Sequence, residues 1–128
     1  MKVFDTPLKG TAKTAVNENN TAKAVKSGSL DVFATPMMIA LIEEATCSAC
    51  APLLDENETT VGTKINVSHD KPSKLGSKIT AYAELNKVDK RQLTFSVYAE
   101  DDNANIIGKG TVERFVVLSD KFMKKVNG

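Results

Sequence analysis

Three kinds of ionisable residue stand where the sequence predicts apolar surroundings. His69 is in phase with the apolar residues two and four positions before it, so its imidazole is predicted to face the buried side of a strand. Arg114 is likewise in phase with Val112 and Val116 of a later strand, so its guanidinium is predicted to face the buried side. Glu43 and Glu44 interrupt an apolar helix. Carboxylates and imidazoles are the usual groups for proton transfer. Because perturbed ionisable groups cluster at functional sites, their convergence on one helix–sheet interface predicts such a site.

Each of these residues also has a purely structural interpretation. Both glutamates could be solvated at the rim of the helix, since Glu is usually exposed. His69 could be an edge residue with a satisfied ring nitrogen, and a bulge could turn Arg114 outward. The chain contains a single histidine, so any chemistry that needs imidazole has one candidate.

The two cysteines, Cys47 and Cys50, are separated by two residues near the predicted C-terminal end of a helix. The helix dipole disfavours a thiolate there, which argues against a redox pair. Together with His69 they supply at most three soft ligands, fewer than structural zinc requires. We therefore predict no metal and no cofactor, and we interpret both cysteines as small residues that fill the core.

Length and composition bound the class of protein. The chain has 128 residues, which predicts a single domain spanning residues 1–128. Its net charge of +1 gives no reason to expect nucleic acid or an anionic membrane as a partner. The longest apolar stretch, Val32 to Ile42, is about half the length of a membrane span. Two cysteines and the absence of a secretory signal over Met1 to Gly10 predict a cytoplasmic protein.

Five segments show the alternation or β-rich composition of strands, and the later ones follow one another as hairpins. The predicted strands are Leu8 to Val16, Thr59 to His69, Lys78 to Val88, Gln92 to Glu100 and Ile106 to Leu118. In the second of these, alternation places Val61, Thr63 and His69 on one face and Gly62 on the other. A short helix over Asp120 to Lys125 is predicted to close the chain.

One long helix is predicted between the first strand and the rest. Thr35 is a suitable N-cap, Pro36 suits the first helical position, and Pro52 marks the end. The residues from Met37 to Ile42 are apolar around the whole helical wheel, which predicts burial on every side. A buried helix wrapped by an antiparallel sheet follows from this order, and the fold class is α+β.

Three blocks of sequence resemble the hotdog-fold acyl-CoA thioesterases, in the branch related to the fluoroacetyl-CoA thioesterase. The first runs from Val32 to Ala45 and includes Ala34-Thr35-Pro36 and Ile42-Glu43-Glu44. The second, Thr60 to His69, resembles a glycine-to-histidine strand, and the third, Ile107 to Phe115, resembles a G-x-G-T-x-E-R strand. The blocks occur in family order, and the match covers most of the chain from about Lys26 onward.

The resemblance implies a hotdog fold, in which a long helix is wrapped by a curved antiparallel sheet. It also implies hydrolysis of an acyl-CoA thioester in a cleft of a homodimer, with a tetramer as the alternative assembly. Thr35, Glu43 and His69 correspond to the family's catalytic residues. Gly62 matches a glycine of the acyl pocket and Arg114 an arginine near the site.

The chemistry implied for these positions leaves two routes open. Glu43 would act as nucleophile, through an anhydride, or as general base on water. His69 would polarise the site or carry a proton to the leaving thiolate, and Thr35 would orient Glu43 or the water. The positive end of the helix dipole lies close to Thr35.

The chain also departs from the fluoroacetyl-selective enzyme. The stretch Lys23 to Ser29 corresponds to an aromatic-rich lid, yet no aromatic residue occurs until Phe33, which argues against fluoroacetyl selectivity. Phe33 itself is a predicted substrate contact. Two alternatives remain at this point: an acyl-CoA binding protein without hydrolysis, and a hydratase or dehydratase, for which the neighbouring Asp70 is a weak indication.

Overall fold

A computed structural model of the chain describes residues 1–4 and 7–128. The strands are β1 (Lys9–Ala15), β2 (Glu58–His69), β3 (Lys78–Asp89), β4 (Gln92–Glu100) and β5 (Ile106–Leu118). The helices are α1 (Ala22–Val25), α2 (Thr35–Cys50) and α3 (Ser119–Asn127), and a 3₁₀ turn (Ala51–Leu53) follows α2. All five strands and the central helix were predicted, with ends that differ by one or two residues.

The five strands form one antiparallel sheet in the order β1-β3-β4-β5-β2. The successive strands β3, β4 and β5 are joined by short turns, at Lys90 and Arg91 and around Asp101 to Asn105. The carboxylate of Asp101 accepts hydrogen bonds from the backbone of Asn103 and Asn105, which stabilises the second turn. Strands β1 and β2 lie at the two edges of the sheet, so the long strand β2 pairs along one side only.

The core lies between α2 and one face of the sheet. Alternate side chains of β3, β4 and β5 are buried there, as strict period-two patterning predicts. The buried strand residues include Ile79, Ala81, Ala83, Leu85, Leu93, Phe95, Val97, Ala99, Val112 and Val116. This arrangement, with a long helix lying across a curled antiparallel sheet, confirms the predicted hotdog fold of the α+β class.

Helix α2 is less uniformly buried than its apolar composition predicts. Met38, Leu41 and Ile42 are buried, but Ile39 is only partly buried and Ala40 is exposed. The prediction of burial on every side is therefore wrong, because the sheet covers only part of the helix surface. The partly open side carries residues 35, 39 and 43, which are spaced by four and form one stripe along the helix.

The start of α2 also differs from the prediction. Ala34 has an extended backbone and is the N-cap, whereas Thr35 is the first helical residue. The carbonyl of Ala34 accepts the first helical hydrogen bond, from the amide of Met38. The hydroxyl of Thr35 caps nothing in the helix, because it is hydrogen-bonded to another side chain.

A β-bulge changes which residues of β2 share a face. The pairing with β5 shifts register between Gly62 and Lys64, so Thr63 is the extra residue. Side chains at positions 62 and 69 would point to opposite faces of a regular strand, since they are an odd number of residues apart. Because of the bulge, position 62 and His69 both face α2. The prediction that placed Val61 and Thr63 on the face of His69, and Gly62 on the other, is wrong for this reason.

Among the residues that the structure describes, none of the helices has the length and apolar character needed to cross a bilayer.

Candidate active site

At the N-terminal end of α2, Thr35 and His69 meet. Thr35 Oγ1 and His69 Nδ1 lie 2.7 Å apart and share a hydrogen bond whose direction depends on the imidazole tautomer. Thr35 is exposed and His69 is partly buried, so the hydroxyl is the more accessible of the two groups. This geometry allows the imidazole to pass a proton to or from the surface through the threonine.

Burial sets the charge of the imidazole. It lowers the pKa of His69 below its ordinary value, because a charged ring loses solvation there, and the nearby Asp70 carboxylate opposes this shift only in part. The Nε2 atom is buried and has no hydrogen-bond partner in the described part of the chain. At neutral pH the ring is therefore uncharged and can accept a proton through Nδ1 from the hydroxyl of Thr35.

Two turns further along α2, Glu43 forms an ion pair with Arg114. Arg114 Nη1 donates to Glu43 Oε2 over 3.0 Å. The carboxylate side chain is 36% exposed, whereas that of the arginine is only 7% exposed. The carboxylate side chain is thus partly exposed while its partner is held in the interior, as predicted for a guanidinium in phase with two buried valines.

The guanidinium of Arg114 makes two further hydrogen bonds, both to Thr60. Nε donates to Thr60 Oγ1 over 2.9 Å, and Nη2 donates to the carbonyl oxygen of Thr60 over 3.2 Å. Each of the three nitrogens therefore has an acceptor. A buried charge that is paired and hydrogen-bonded through each of its nitrogens avoids much of the cost of burying it alone.

Gly62 provides the space in which this ion pair forms. It lies opposite Arg114 in the β2–β5 ladder. A Cβ atom at this position would lie 2.7 Å from Glu43 Oε2 and 3.4 Å from Arg114 Nη1. Any larger residue would push against the carboxylate, so the missing side chain of Gly62 lets Glu43 approach the strand.

One member of each pair, Thr35 or Glu43, lies on the same stripe of α2. Thr35 and Glu43 are eight residues apart, which corresponds to about 12 Å along the helix axis. Ile39 lies between them on the helix. The predicted residues Thr35, Glu43, His69, Gly62 and Arg114 are thus brought to the interface of α2 with β2 and β5, as two hydrogen-bonded groups.

Phe33 is not brought to this interface. It is 2% exposed and lines a small cavity of about 170 Å³ together with Met37, Leu41 and Glu44. These helix residues lie on a different face of α2 from Thr35 and Glu43, given the 100° turn per residue. A contact between Phe33 and substrate stays a prediction, as does a contact between substrate and Arg114.

The cysteines lie near the other end of α2. Cys50 is buried, and burial raises the pKa of its thiol. Cys47 is exposed, so the prediction that both cysteines fill the core is wrong for this residue. No three His, Cys, Asp or Glu side chains of the described residues come close enough together to hold a metal ion.

Sequence reasoning missed Thr60. It lies two residues before Gly62 on the same face of β2, but its importance depends on a contact with Arg114, 54 residues away. A threonine in a β-rich strand is unremarkable by itself. The signal available in the sequence was indirect: a buried arginine must find several acceptors, and the strand paired with it is the first place to look.

Comparisons with known proteins agree with this architecture, which is that of the hotdog thioesterases. Residues 16–120 match the model of the family described as fluoroacetyl-CoA-specific thioesterase, FlK. The fluoroacetyl-CoA thioesterase of Streptantibioticus cattleyicolor is 42% identical over 96 residues, which cover 75% of this chain and 68% of that protein. The chain therefore belongs to the fluoroacetyl-CoA-specific thioesterase family.

Solved structures support the same assignment. One structure of the fluoroacetyl-CoA thioesterase superposes with a TM-score of 0.90 at 32% identity, covering 98% of this chain and 97% of that one. A variant of that enzyme with one phenylalanine replaced by alanine, in complex with fluoroacetate and CoA, gives a TM-score of 0.84 at 35% identity, with coverage of 91% and 95%. The predicted family is confirmed, and with it the prediction of an enzyme of the thioester hydrolase class.

Proposed function

We propose that this protein hydrolyses an acyl-CoA thioester to the free acid and CoA, with Glu43, Thr35 and His69 as catalytic residues. The observation that carries the proposal is the pair of contacts that α2 makes with β2 and β5. There a partly exposed carboxylate, held by a buried arginine, shares one helix stripe with a threonine that is hydrogen-bonded to a neutral histidine. Membership in a thioesterase family gives this arrangement its reaction class.

The carboxylate of Glu43 brings about the attack on the thioester carbonyl. Glu43 either adds to the thioester carbonyl and forms an anhydride, or removes a proton from the water that adds to it. In the first route, the C–S bond breaks as CoA leaves, and water then hydrolyses the anhydride to regenerate the carboxylate. Arg114 supports both routes, because it binds one oxygen of Glu43 and leaves the other without a hydrogen bond among the described residues.

The threonine and histidine serve the leaving group. The thiolate of CoA must be protonated when it departs. The neutral imidazole can first take up a proton at Nδ1 through the exposed hydroxyl of Thr35, with which it shares the hydrogen bond of 2.7 Å, and then return it through the same hydroxyl to the thiolate. That proton comes from the attacking water, directly or by way of Glu43 and solvent, so His69 is uncharged again once the acid and CoA have formed. The same hydroxyl can donate to the carbonyl oxygen as negative charge develops there.

The proposal includes a homodimer built through β2. This strand of 12 residues pairs with β5 along one edge, and Ile65 near its middle is 36% exposed. A long exposed edge is a template for pairing with another chain. A second copy there would lie beside Gly62 and His69, which belong to the same strand. Light scattering should give the mass of a dimer, or of a tetramer built from two dimers, and a monomer would contradict this part.

We also propose an acyl-CoA substrate broader than fluoroacetyl-CoA and a cytoplasmic location. The segment from Lys26 to Asp31 is exposed and carries no aromatic residue that could close over a small acyl group. Both cysteines have free thiols, which fits a reducing compartment.

The test is thiol release from a panel of acyl-CoAs, including acetyl-, fluoroacetyl-, butyryl- and phenylacetyl-CoA. We expect turnover of several of them and no strong preference for fluoroacetyl-CoA. A parallel preparation of Glu43→Gln measures contaminating thioesterases, and a blank without substrate corrects for Cys47, which is exposed and reacts with thiol reagents. Binding without release of CoA would instead identify an acyl-CoA binding protein.

Hydration of an enoyl-CoA without release of CoA would identify a hydratase. The observed contacts argue against that function. The carboxylate of Asp70 accepts a hydrogen bond from Ser68, and His69 is paired with Thr35. The aspartate–histidine pair on which the alternative depends is therefore not the contact that these two side chains make.

A further inference from the structure

We infer that Thr60 is a positioning residue for this reaction: its hydroxyl and its carbonyl oxygen fix the guanidinium of Arg114 in the orientation in which it binds Glu43. The inference rests on the proposed function. Thr60 contacts neither the reacting atoms nor the catalytic carboxylate in this arrangement. Its effect on the reaction is transmitted through the arginine.

The hydrogen bonds of Arg114 explain why Thr60 alone is sufficient to orient the guanidinium. A guanidinium is planar, and its N–H groups point in directions that are fixed relative to one another. Thr60 accepts from Nε with its hydroxyl and from Nη2 with its carbonyl. With two nitrogens held, the plane of the group is determined, and so is the direction of the third nitrogen, Nη1, which donates to Glu43.

The neighbouring residues Gly62 and Glu43 cannot orient the guanidinium in place of Thr60. Gly62, directly opposite Arg114 on β2, has no side chain with which to hold the guanidinium. Glu43 cannot hold it alone, because its side chain is long, ends near the surface and makes a single hydrogen bond to it. An arginine side chain restrained at only one nitrogen would keep much of its rotamer freedom. Thr60 removes that freedom from the interior side.

The charge of Arg114 is directed at Glu43 for a related reason. Cys50 lies beside Thr60 and Arg114, and burial raises the pKa of its thiol, so this neighbour is neutral at physiological pH. Among the described residues, Glu43 is the only acidic side chain within 4.0 Å of the guanidinium. The arginine therefore acts on one carboxylate, and its orientation decides where that carboxylate lies.

The first test is Thr60→Val, which keeps the shape and removes the hydroxyl. We expect kcat to fall by about tenfold, as for the loss of one hydrogen bond to a charged group, while KM changes by less than about twofold. Thr60→Ser restores the hydroxyl and should return kcat to within about twofold of wild type. A matched control is Thr59→Val, because Thr59 is the neighbouring threonine of the same strand, is exposed and lies on the opposite face.

The second test places Thr60→Val in an Arg114→Met background. If Thr60 acts through the arginine, the second substitution should change kcat by less than about twofold once the arginine is absent. Thr60→Ala serves in both backgrounds if the valine variant does not fold, and melting temperatures identify variants that have simply lost stability.

The outcomes separate this inference from the proposed function. A wild-type protein that releases no CoA from any acyl-CoA contradicts both. Wild-type turnover with an unchanged Thr60→Val variant contradicts the role of Thr60 alone. A serine variant as slow as the valine variant, or an undiminished effect of Thr60→Val without the arginine, contradicts it as well, because the threonine would then act through packing.

Discussion

The two polar pairs along α2 are built differently, although both involve residues of the same helix stripe. Thr35 and His69 share one hydrogen bond, and the hydroxyl lies at the surface. Glu43 is bound by an arginine that is 6% exposed and is held by two more hydrogen bonds to β2. The first pair can rearrange during a proton transfer, whereas the second keeps a fixed charge in a fixed place.

This difference matches the demands of thioester hydrolysis. A group that attacks a carbonyl carbon needs a defined position, because misplacement by about 1 Å can cost about 10²-fold in rate. A group that relays a proton must change its bonding partners within each turnover. A buried arginine held by three hydrogen bonds suits the first demand, and an accessible hydroxyl paired with a neutral imidazole suits the second.

Removing the negative charge of Glu43 from the fixed pair, Glu43 and Arg114, should have the largest effect on kcat. We expect Glu43→Gln to lower kcat by at least about 10³-fold, because an amide can neither attack the carbonyl nor accept a proton from water. The adjacent Glu44→Gln is the matched control, since Glu44 is exposed and faces the other side of α2. Thiol release measures both. Equal loss in the two variants, or none in either, would contradict the assignment.

Breaking the hydrogen-bonded pair of Thr35 and His69 should have the next largest effect on kcat. We expect His69→Ala and Thr35→Val each to lower kcat by about 10²-fold, within the usual range for a proton-transfer group. Because the two residues share one hydrogen bond, the double variant should be hardly slower than either single one. Additive losses would show that His69 and Thr35 act independently and would contradict the relay.

A smaller effect is expected when the fixed pair is displaced without being broken. In Gly62→Ala the new methyl group would lie 2.7 Å from Glu43 Oε2, so the carboxylate must shift. We expect kcat to fall by about tenfold with little change in melting temperature, since the end of a glutamate side chain can move at small cost. An alanine variant with the wild-type kcat would show that the position of the carboxylate is not critical.

The smallest effect concerns pH. The folded protein lowers the pKa of His69, so the unfolded chain binds more protons in the window below about pH 6.5, and stability rises with pH through that window. The free energy of unfolding should therefore decrease as the solution is acidified below about pH 6.5. His69→Asn should remove this part of the pH dependence in urea titrations. An unchanged slope in the variant would mean that other groups cause it.

Much of the fold could be predicted because β3 and β4 alternate strictly over most of their length and each buries one face. The burial of Arg114 followed from its phase with Val112 and Val116 in β5. The bulge at Thr63 could not be predicted, since no residue around Gly62 demands one, and without it Gly62 was assigned to the wrong face. A bulge is favoured by contacts across the sheet, and these are absent from a local pattern.

The sequence predicts which residues form the site but not which of them contact one another. The family blocks name Thr35, Glu43 and His69, and periodicity directs His69 toward the helix. The hydrogen-bond partner of each residue could not be predicted. The pairing of Thr35 with His69 and the holding of Arg114 by Thr60 join positions 34 and 54 residues apart, which only the three-dimensional structure brings together.

The single extra residue in β2 limits how the length of this strand can vary. Insertions and deletions are usually tolerated at edges and loops, and β2 is an edge strand. Deleting Thr63 would turn one half of the strand over: either Thr60 and Gly62 or His69 would leave the face of α2. Relatives that keep this site should therefore conserve the number of residues between the glycine and the histidine more strictly than their identities, and a shortened strand would identify a relative with a different chemistry.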